Sequence, residues 1–190
     1  MQVIIPVAGA GTNLRPLTYT QPKALISVAG KPILSFIIDE LAQNGVNDFI
    51  FVVGYLSEKI KEFVEKNYPN LNAKFVHQEK REGSGHAIWC AREVVNMNKP
   101  LAIHLGDTIV DIDIKKIIAE QYSTLVVKKV DDPRSFGVAE IDADGFIKKV
   151  EEKPIIPKSN MALVGFYFVK ETRKLFDALT YNVENNLRNN

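Results

Sequence analysis

Cysteine is nearly absent. Cys90 is the one thiol in 190 residues, which excludes a disulfide framework within the chain and suits a reducing compartment. It falls in a helix-period stretch, where a lone cysteine reads as a small buried apolar residue rather than a nucleophile. Net charge is missing too. The 24 basic and 23 acidic side chains leave +1, so no global field draws the chain to nucleic acid or membrane. Any phosphate ligand must be held by local geometry. No apolar run approaches the roughly 20 residues that span a bilayer. The opening Met1-Gln2-Val3-Ile4-Ile5-Pro6-Val7 lacks the basic flank of a signal peptide and reads as a strand. A cytoplasmic protein without nucleic-acid or membrane partners is expected. The three histidines, His77, His86 and His104, lack the close groupings of a zinc site. The aromatics Phe49, Phe51, Phe63, Phe75 and Trp89 read as core rather than as a base-stacking platform.

What is present is a soluble globular composition, 46% hydrophobic and 25% charged, with a clear rhythm. Val3 to Val7, Phe49 to Val53, Ala73 to Val76, Leu101 to Leu105 and Leu125 to Val127 read as strands. Between them, Ile33, Ile37, Ile38 and Leu41 share a helical face, as do Ile60, Phe63 and Val64, and Ala87, Ile88, Ala91 and Val94/Val95. Strands rich in Val and Ile without alternation are buried on both faces, as in a parallel sheet covered by helices. The expected fold is α/β, a doubly wound and mostly parallel sheet, with ligands beyond the carboxyl ends of its strands. After Asp131 the rhythm changes. Val138 to Ile141 and Phe146 to Val150, joined by Asp142-Ala143-Asp144-Gly145, form a hairpin in the second half. Ala162 to Val169 adds a strand, and a helix is expected near Glu171 to Leu179. No linker divides the chain, so residues 1–190 form one domain, and the asparagine-rich 182–190 reads as a loose tail.

The first strand runs into Ala8-Gly9-Ala10-Gly11-Thr12-Asn13-Leu14-Arg15-Pro16-Leu17-Thr18. Glycines there let the backbone turn sharply and aim successive N–H groups at an anion, which suits a triphosphate. The turn is not a P-loop, because no Gly-Lys-Ser/Thr follows. A dinucleotide-binding fingerprint would need glycine where Leu14 stands, and an acid after strand two, which ends Val52-Val53-Gly54-Tyr55.

Gln21-Pro22-Lys23-Ala24-Leu25-Ile26-Ser27-Val28-Ala29-Gly30-Lys31-Pro32 follows. The two stretches together resemble the start of the sugar-nucleotide pyrophosphorylase (NDP-sugar nucleotidyltransferase) family, which carries G-x-G-T-R-L-x-P-L-T and then P-K-x-L-x-x-V-x-G-K-P. The resemblance continues in the family's order. Gln78-Glu79 with Gly83-Ser84-Gly85-His86-Ala87 is similar to its nucleobase-reading segment, and Leu105-Gly106-Asp107 to its metal-binding turn. Phe136-Gly137-Val138 and Val150-Glu151-Glu152-Lys153-Pro154 resemble its sugar-binding pair, and Val164-Gly165-Phe166-Tyr167 a strand beside the sugar.

That resemblance implies a Rossmann-like, GT-A-like core. It also implies transfer of a nucleotidyl group from an NTP to a sugar 1-phosphate with Mg²⁺, releasing pyrophosphate. UTP or dTTP with glucose 1-phosphate is the favoured pair; GTP with mannose 1-phosphate and a CTP-using variant stay open. Lys23 neutralises phosphate charge, and Arg15 either reaches the β- and γ-phosphates or lies on the surface. Asp107 holds the metal, with a helix-capping role as its bland alternative. Asp111 and Asp113 start the next helix, Asp113 as N-cap. Ala8, Gly9, Gly11, Thr12 and Asn13 surround the nucleotide. Gln78 offers donor and acceptor to the imide edge of uracil or thymine, with Gly83 and Ser84 beside it. Glu152 accepts from sugar hydroxyls, Lys153 meets the sugar phosphate, Gly137 gives a backbone contact, and Gly165 stands by the sugar. A homo-oligomer is possible.

Two positions depart from the family's pattern. Position 13 is usually basic and here is Asn13, which can hydrogen-bond but cannot neutralise pyrophosphate. The ending Glu184-Asn185-Asn186-Leu187 resembles the place where family members continue toward a W-x-D-x-G segment with a second metal aspartate. A truncated chain is therefore expected, with one metal carboxylate. Both departures keep an alternative open, a catalytically weak homologue that binds nucleotide or sugar phosphate as a regulatory or scaffold subunit.

Overall fold

A computed structural model describes residues 1–187. In chain order, β1 (Gln2–Pro6) leads into a turn of three 3₁₀ segments and a two-stranded ribbon, β2 (Ser27–Val28) and β3 (Lys31–Pro32). Then come α1 (Ile33–Gln43), β4 (Asp48–Val53), α2 (Ser57–Asn67), β5 (Asn72–His77), α3 (Ser84–Cys90), β6 (Leu101–His104) and α4 (Ile114–Ala119). β7 (Thr124–Lys129), β8 (Gly137–Ile141), β9 (Ile147–Glu152), β10 (Met161–Val169) and α5 (Thr172–Glu184) complete the described chain.

The main sheet runs β5-β4-β1-β6-β10-β8-β9, with β7 on β10. Its first half is parallel: β1 pairs with β4 and β6, and β4 with β5. The second half is antiparallel, since β10 reverses against β6, β7 and β8, and β8 and β9 form the hairpin. The doubly wound sheet therefore describes the half that carries the crossover helices.

Residue alternation sorts the core into two layers. Val3, Ile5, Phe49, Phe51 and Val53 meet Leu34, Ile37, Ile38 and Leu41 of α1 and Ile60 and Val64 of α2. Ile4, Ile50, Val52, Leu101 and Ile103 face Ala87 and Ala91 near α3 and Phe176 of α5. Full burial of such side chains contributes about 1.5–3 kcal/mol each. Both faces are covered, which is why these strands are apolar without alternation.

Three readings change. α5 extends to Glu184, so residues 182–184, placed in a loose tail by composition, are helical. Leu175, Phe176 and Leu179 pack its inner face on the second core layer and carry the polar last turn with them. Residues 188–190 lie outside the described residues. Cys90 ends α3 half-buried rather than in the core, with Sγ 3.8 Å from His86 Nδ1. Burial, the largest influence, pushes its thiol pKa up, so it stays a poor nucleophile. Trp89 is half-buried; Nε1 donates to Thr180 Oγ1 at 3.1 Å, and the Arg92 guanidinium lies 3.7 Å over its ring.

Candidate functional site

The carboxyl ends of β1 and β6 lie side by side because the two strands are parallel neighbours. The segments that leave them, Val7 to Asn13 and Leu105 to Thr108, therefore face the same space. Gly106 N donates to Pro6 O at 3.3 Å, and Leu105 N to Gly165 O at 2.8 Å, which ties the second segment to β1 on one side and β10 on the other. Gly106 has no room for a side chain: an added Cβ would stand 2.8 Å from Pro6 O. Next to it His104 is buried, its Nδ1–H donating to Leu105 O at 3.0 Å. Burial holds this imidazole below its ordinary pKa and so neutral, though Leu105 O and Asp107 pull the other way.

In the first segment Gly11 takes φ +60°, and Thr18 Oγ1 donates to its carbonyl at 2.8 Å. Thr18 and Lys23 pack so close that a Cβ on Gly11 would meet them at 2.8 and 3.1 Å. The amides from Gly9 to Asn13 find no acceptor among the described residues. A run of unpaired N–H groups in a turn is a concavity for an anion.

Lys23 and Asp107 close one side. Lys23 Nζ lies 2.5 Å from Asp107 Oδ2, both side chains more than a third exposed. Together with Val7, Ala8, Gly9, Gln78, Gly83, Ser84 and Gly106 they line a cavity of about 300 Å³. Arg81 lines it too, a cation that sequence reasoning passed over. Its only signal is a place in the charged run Glu79-Lys80-Arg81-Glu82 ahead of Gly83.

Gln78 is the most constrained polar group here, with 5% of its surface exposed. Its Nε2 donates to Gly83 O at 3.2 Å and lies 3.0 Å from His86 Nδ1. A carbonyl can only accept, so the amide cannot be flipped without setting oxygen against oxygen. His86 Nδ1 is then an acceptor, and its proton sits on Nε2, 3.9 Å from Glu82 Oε2. The sequence reading gave both halves of the Gln78 amide to a base. The structure spends the donor half on the protein and leaves Oε1 for the cavity.

A second hollow of about 500 Å³ shares Gly83 and Ser84 with the first and is lined by His86, Glu152 and Val183 of α5 among others. Glu152 lies against Gly137, where an added Cβ would meet Oε2 at 3.0 Å. Lys153 follows β9 at φ +43°, with Nζ 3.8 Å from Glu152 Oε1. Gly137, Lys153 and Gly165 do not line either hollow. Gly165, at φ +83° and buried, acts through its carbonyl on Leu105. Gly11, Thr12, Asn13 and Arg15 stand outside the first cavity, and Arg15 lies 5.1 Å over the Tyr19 ring. Asp113 caps α4, accepting from Lys116 N at 3.0 Å.

Among the described residues no three His, Cys, Asp or Glu converge as a metal cage. Asp107 supplies one hard carboxylate at the cavity. Mg²⁺ commonly takes one or two carboxylates and completes its shell with substrate phosphates and water, so this donor fits Mg²⁺ shared with a triphosphate. No helix among the described residues is long and apolar enough to cross a membrane.

The Nucleotidyl transferase family model matches residues 2–188. The chain is 37% identical to Bifunctional protein GlmU of Methanocaldococcus jannaschii, over 94% of this chain and 42% of that one. It is 32% identical to UTP–glucose-1-phosphate uridylyltransferase AglF of Haloferax volcanii, over 88% of this chain and 71% of that one. A crystal structure assigned to a glucose-1-phosphate thymidylyltransferase of Bacillus anthracis, with sucrose bound, superposes with a TM-score of 0.83. It is 26% identical and covers 97% of this chain and 75% of that one. The chain spans about half the length of most curated relatives it matches.

Proposed function

The chain belongs to the Nucleotidyl transferase family, and on that premise we propose that it is the catalytic core of a sugar-1-phosphate nucleotidyltransferase. It transfers a nucleotidyl group from UTP or dTTP to a sugar 1-phosphate, glucose 1-phosphate first, giving the nucleotide sugar and pyrophosphate. One observation carries this reading: the run of unpaired amides from Gly9 to Asn13 begins at the wall of the cavity, where Gly9 stands with Lys23, Asp107 and Gln78, whose Oε1 is free.

In the reaction a sugar-phosphate oxygen attacks the α-phosphorus and pyrophosphate leaves. Both reactants are anionic, so alignment and charge neutralisation carry the rate, and no activated nucleophile is needed. The amides of the first turn take phosphate oxygens. Lys23 and Arg81 neutralise charge around them, and Arg15 does so once it leaves the Tyr19 ring. Gln78 Oε1 accepts from the N3–H of uracil or thymine. Cytosine presents an acceptor there and is disfavoured. Glu152 accepts from sugar hydroxyls, Lys153 meets the sugar phosphate, and the Gly137 backbone borders the same hydroxyls. Mg²⁺, held by Asp107, would neutralise the triphosphate and fix its geometry. A cytoplasmic location belongs to the same proposal, supported by these substrates and by a free cysteine suited to a reducing compartment.

Pyrophosphate release with Mg²⁺ tests this, with UTP, dTTP, CTP, GTP and ATP screened against several sugar 1-phosphates. Release with UTP or dTTP, lost in Asp107→Ala, is expected. The uncharged Asn13 favours a second reading, a homologue that binds without turning over. Calorimetric binding of UTP with no release under any pairing would establish it and sink the first.

A further inference from the structure

Among the described residues the main sheet has open edges at β5, β7 and β9, and an open edge offers unpaired main-chain groups to another strand. β9 reads Ile147-Lys148-Lys149-Val150-Glu151-Glu152, with every residue from Lys148 onward exposed. Charges on an edge usually guard against pairing. Here their order is two cations, one apolar residue, two anions. Reversed, that sequence is its own complement.

We propose that β9 pairs with β9 of a second copy of this chain in an antiparallel, two-fold dimer centred on Val150. Main-chain direction supports the register independently of charge. Lys153 N donates to Phe136 O at 3.0 Å, and β8 and β9 are in register from Gly137 opposite Glu152. Antiparallel ladders alternate hydrogen-bonded and non-hydrogen-bonded pairs. Glu151 and Lys149 therefore spend their main-chain groups on β8, and Val150 and Glu152 turn theirs outward; at Lys148 the register with β8 shifts by one residue, which ends the regular ladder there. A two-fold axis at Val150 sets outward groups against outward groups. In that register Val150 bonds its own symmetry mate, and the regular ladder runs from Lys149 to Glu152 of each copy. Lys149 and Glu151 of one chain already form an ion pair at 2.8 Å, and in the dimer each also faces its opposite charge in the other copy in a non-hydrogen-bonded pair, which makes a cluster of four charges about the axis. Displacing the axis by one residue breaks the main-chain match, and displacing it by two breaks the charge match.

The other edges lack this code. β5 carries Lys74 and His77 with no acid, and β7 carries Lys128 and Lys129 with no acid. Exposed apolar groups also collect beside β9. Phe146 precedes it at 50% exposure, its ring 5.3 Å from that of Tyr122, and Ile155 and Ile156 follow at 91% and 82%. Because the paired strands run antiparallel, the Phe146 end of each copy lies toward the end of the other from which Ile155 and Ile156 leave. Such an interface is isologous, so each contact occurs twice.

Sedimentation velocity on the full chain tests the register. Wild type is expected to sediment as a dimer. Lys149→Glu alone and Glu151→Lys alone each place like charges opposite one another at both symmetric positions. Each should weaken dimerisation on the order of 10-fold or more. Mixed in equal amounts, the two variants present complementary strands and should recover the dimer. Circular dichroism and thermal melting of the variants, both exposed substitutions, confirm that each is folded. A wild type monomeric at its highest soluble concentration overturns the proposal and leaves the charges as a guard. So does a dimer that neither variant weakens, or variants that fail to reassociate on mixing.

Discussion

Lys23 and Asp107 stand 84 residues apart in sequence and 2.5 Å apart in space, each the charge the other needs until a ligand arrives. An ion pair this exposed contributes about 0–1 kcal/mol to stability. Asp107→Asn should therefore shift the urea midpoint little. Pyrophosphate release should fall by on the order of 10² to 10³, as when a preorganised charge stabiliser is removed. A large loss of stability with activity retained would give the pair a structural role instead.

Asn13 stands where a basic residue is usual in the family resembled, exposed and beside the unpaired amides. Asn13→Arg should raise the turnover number by on the order of 10² if leaving-group charge limits the reaction. Unchanged turnover in single-turnover kinetics would assign the neutralisation to Arg15 or Arg81.

His86 holds the donor half of the Gln78 amide and Gly83 the rest. His86→Ala should leave the amide on the Gly83 carbonyl as its one anchor and aim Oε1 less firmly at the base. Discrimination between UTP and CTP, read as the ratio of kcat/KM values, should drop about 10-fold, the worth of roughly one hydrogen bond. Equal losses for both nucleotides would mean a general packing role.

Gly106 is packed against Pro6 O and Val7. Gly106→Ala should destabilise the fold by about 1–3 kcal/mol as β1 and β6 are forced apart. Chemical denaturation measures it, and a wild-type midpoint would show that the two strands yield without cost.

Tyr68 has its pKa pushed up to about 12 by burial first, with Asp39 reinforcing the shift and the Ser35 hydroxyl opposing it. A folded-state pKa raised above the ordinary 10 contributes stability that is fully present below pH 10 and lost as pH rises through about 12. Tyr68→Phe should remove that part of the alkaline decline in the denaturation midpoint. An alkaline profile unchanged by the substitution would assign the decline to other groups.

The sequence by itself determined the secondary elements, because local patterns are physical constraints on each segment. Unbroken Val and Ile runs demand burial on both faces, three-to-four spacing demands a helical stripe, and Asp142 to Gly145 demands a turn. The first strands, the hairpin and the Asp113 cap were legible for that reason. The end of α5 was not, since asparagines at its close say nothing of the core that Phe176 and Leu179 reach. Nor did spacing reveal the reversal of β10, which turns the second half of the sheet antiparallel, because strand direction is set by partners rather than by composition. At the site, residue types and motif order named Lys23, Asp107 and Gln78. Only the tertiary structure decided that the first two form a pair, that the Gln78 amide has one half to spare, and that Arg81 joins them. Those facts depend on atoms brought within hydrogen-bond reach by parallel strands far apart in sequence, and such distances have no local signature.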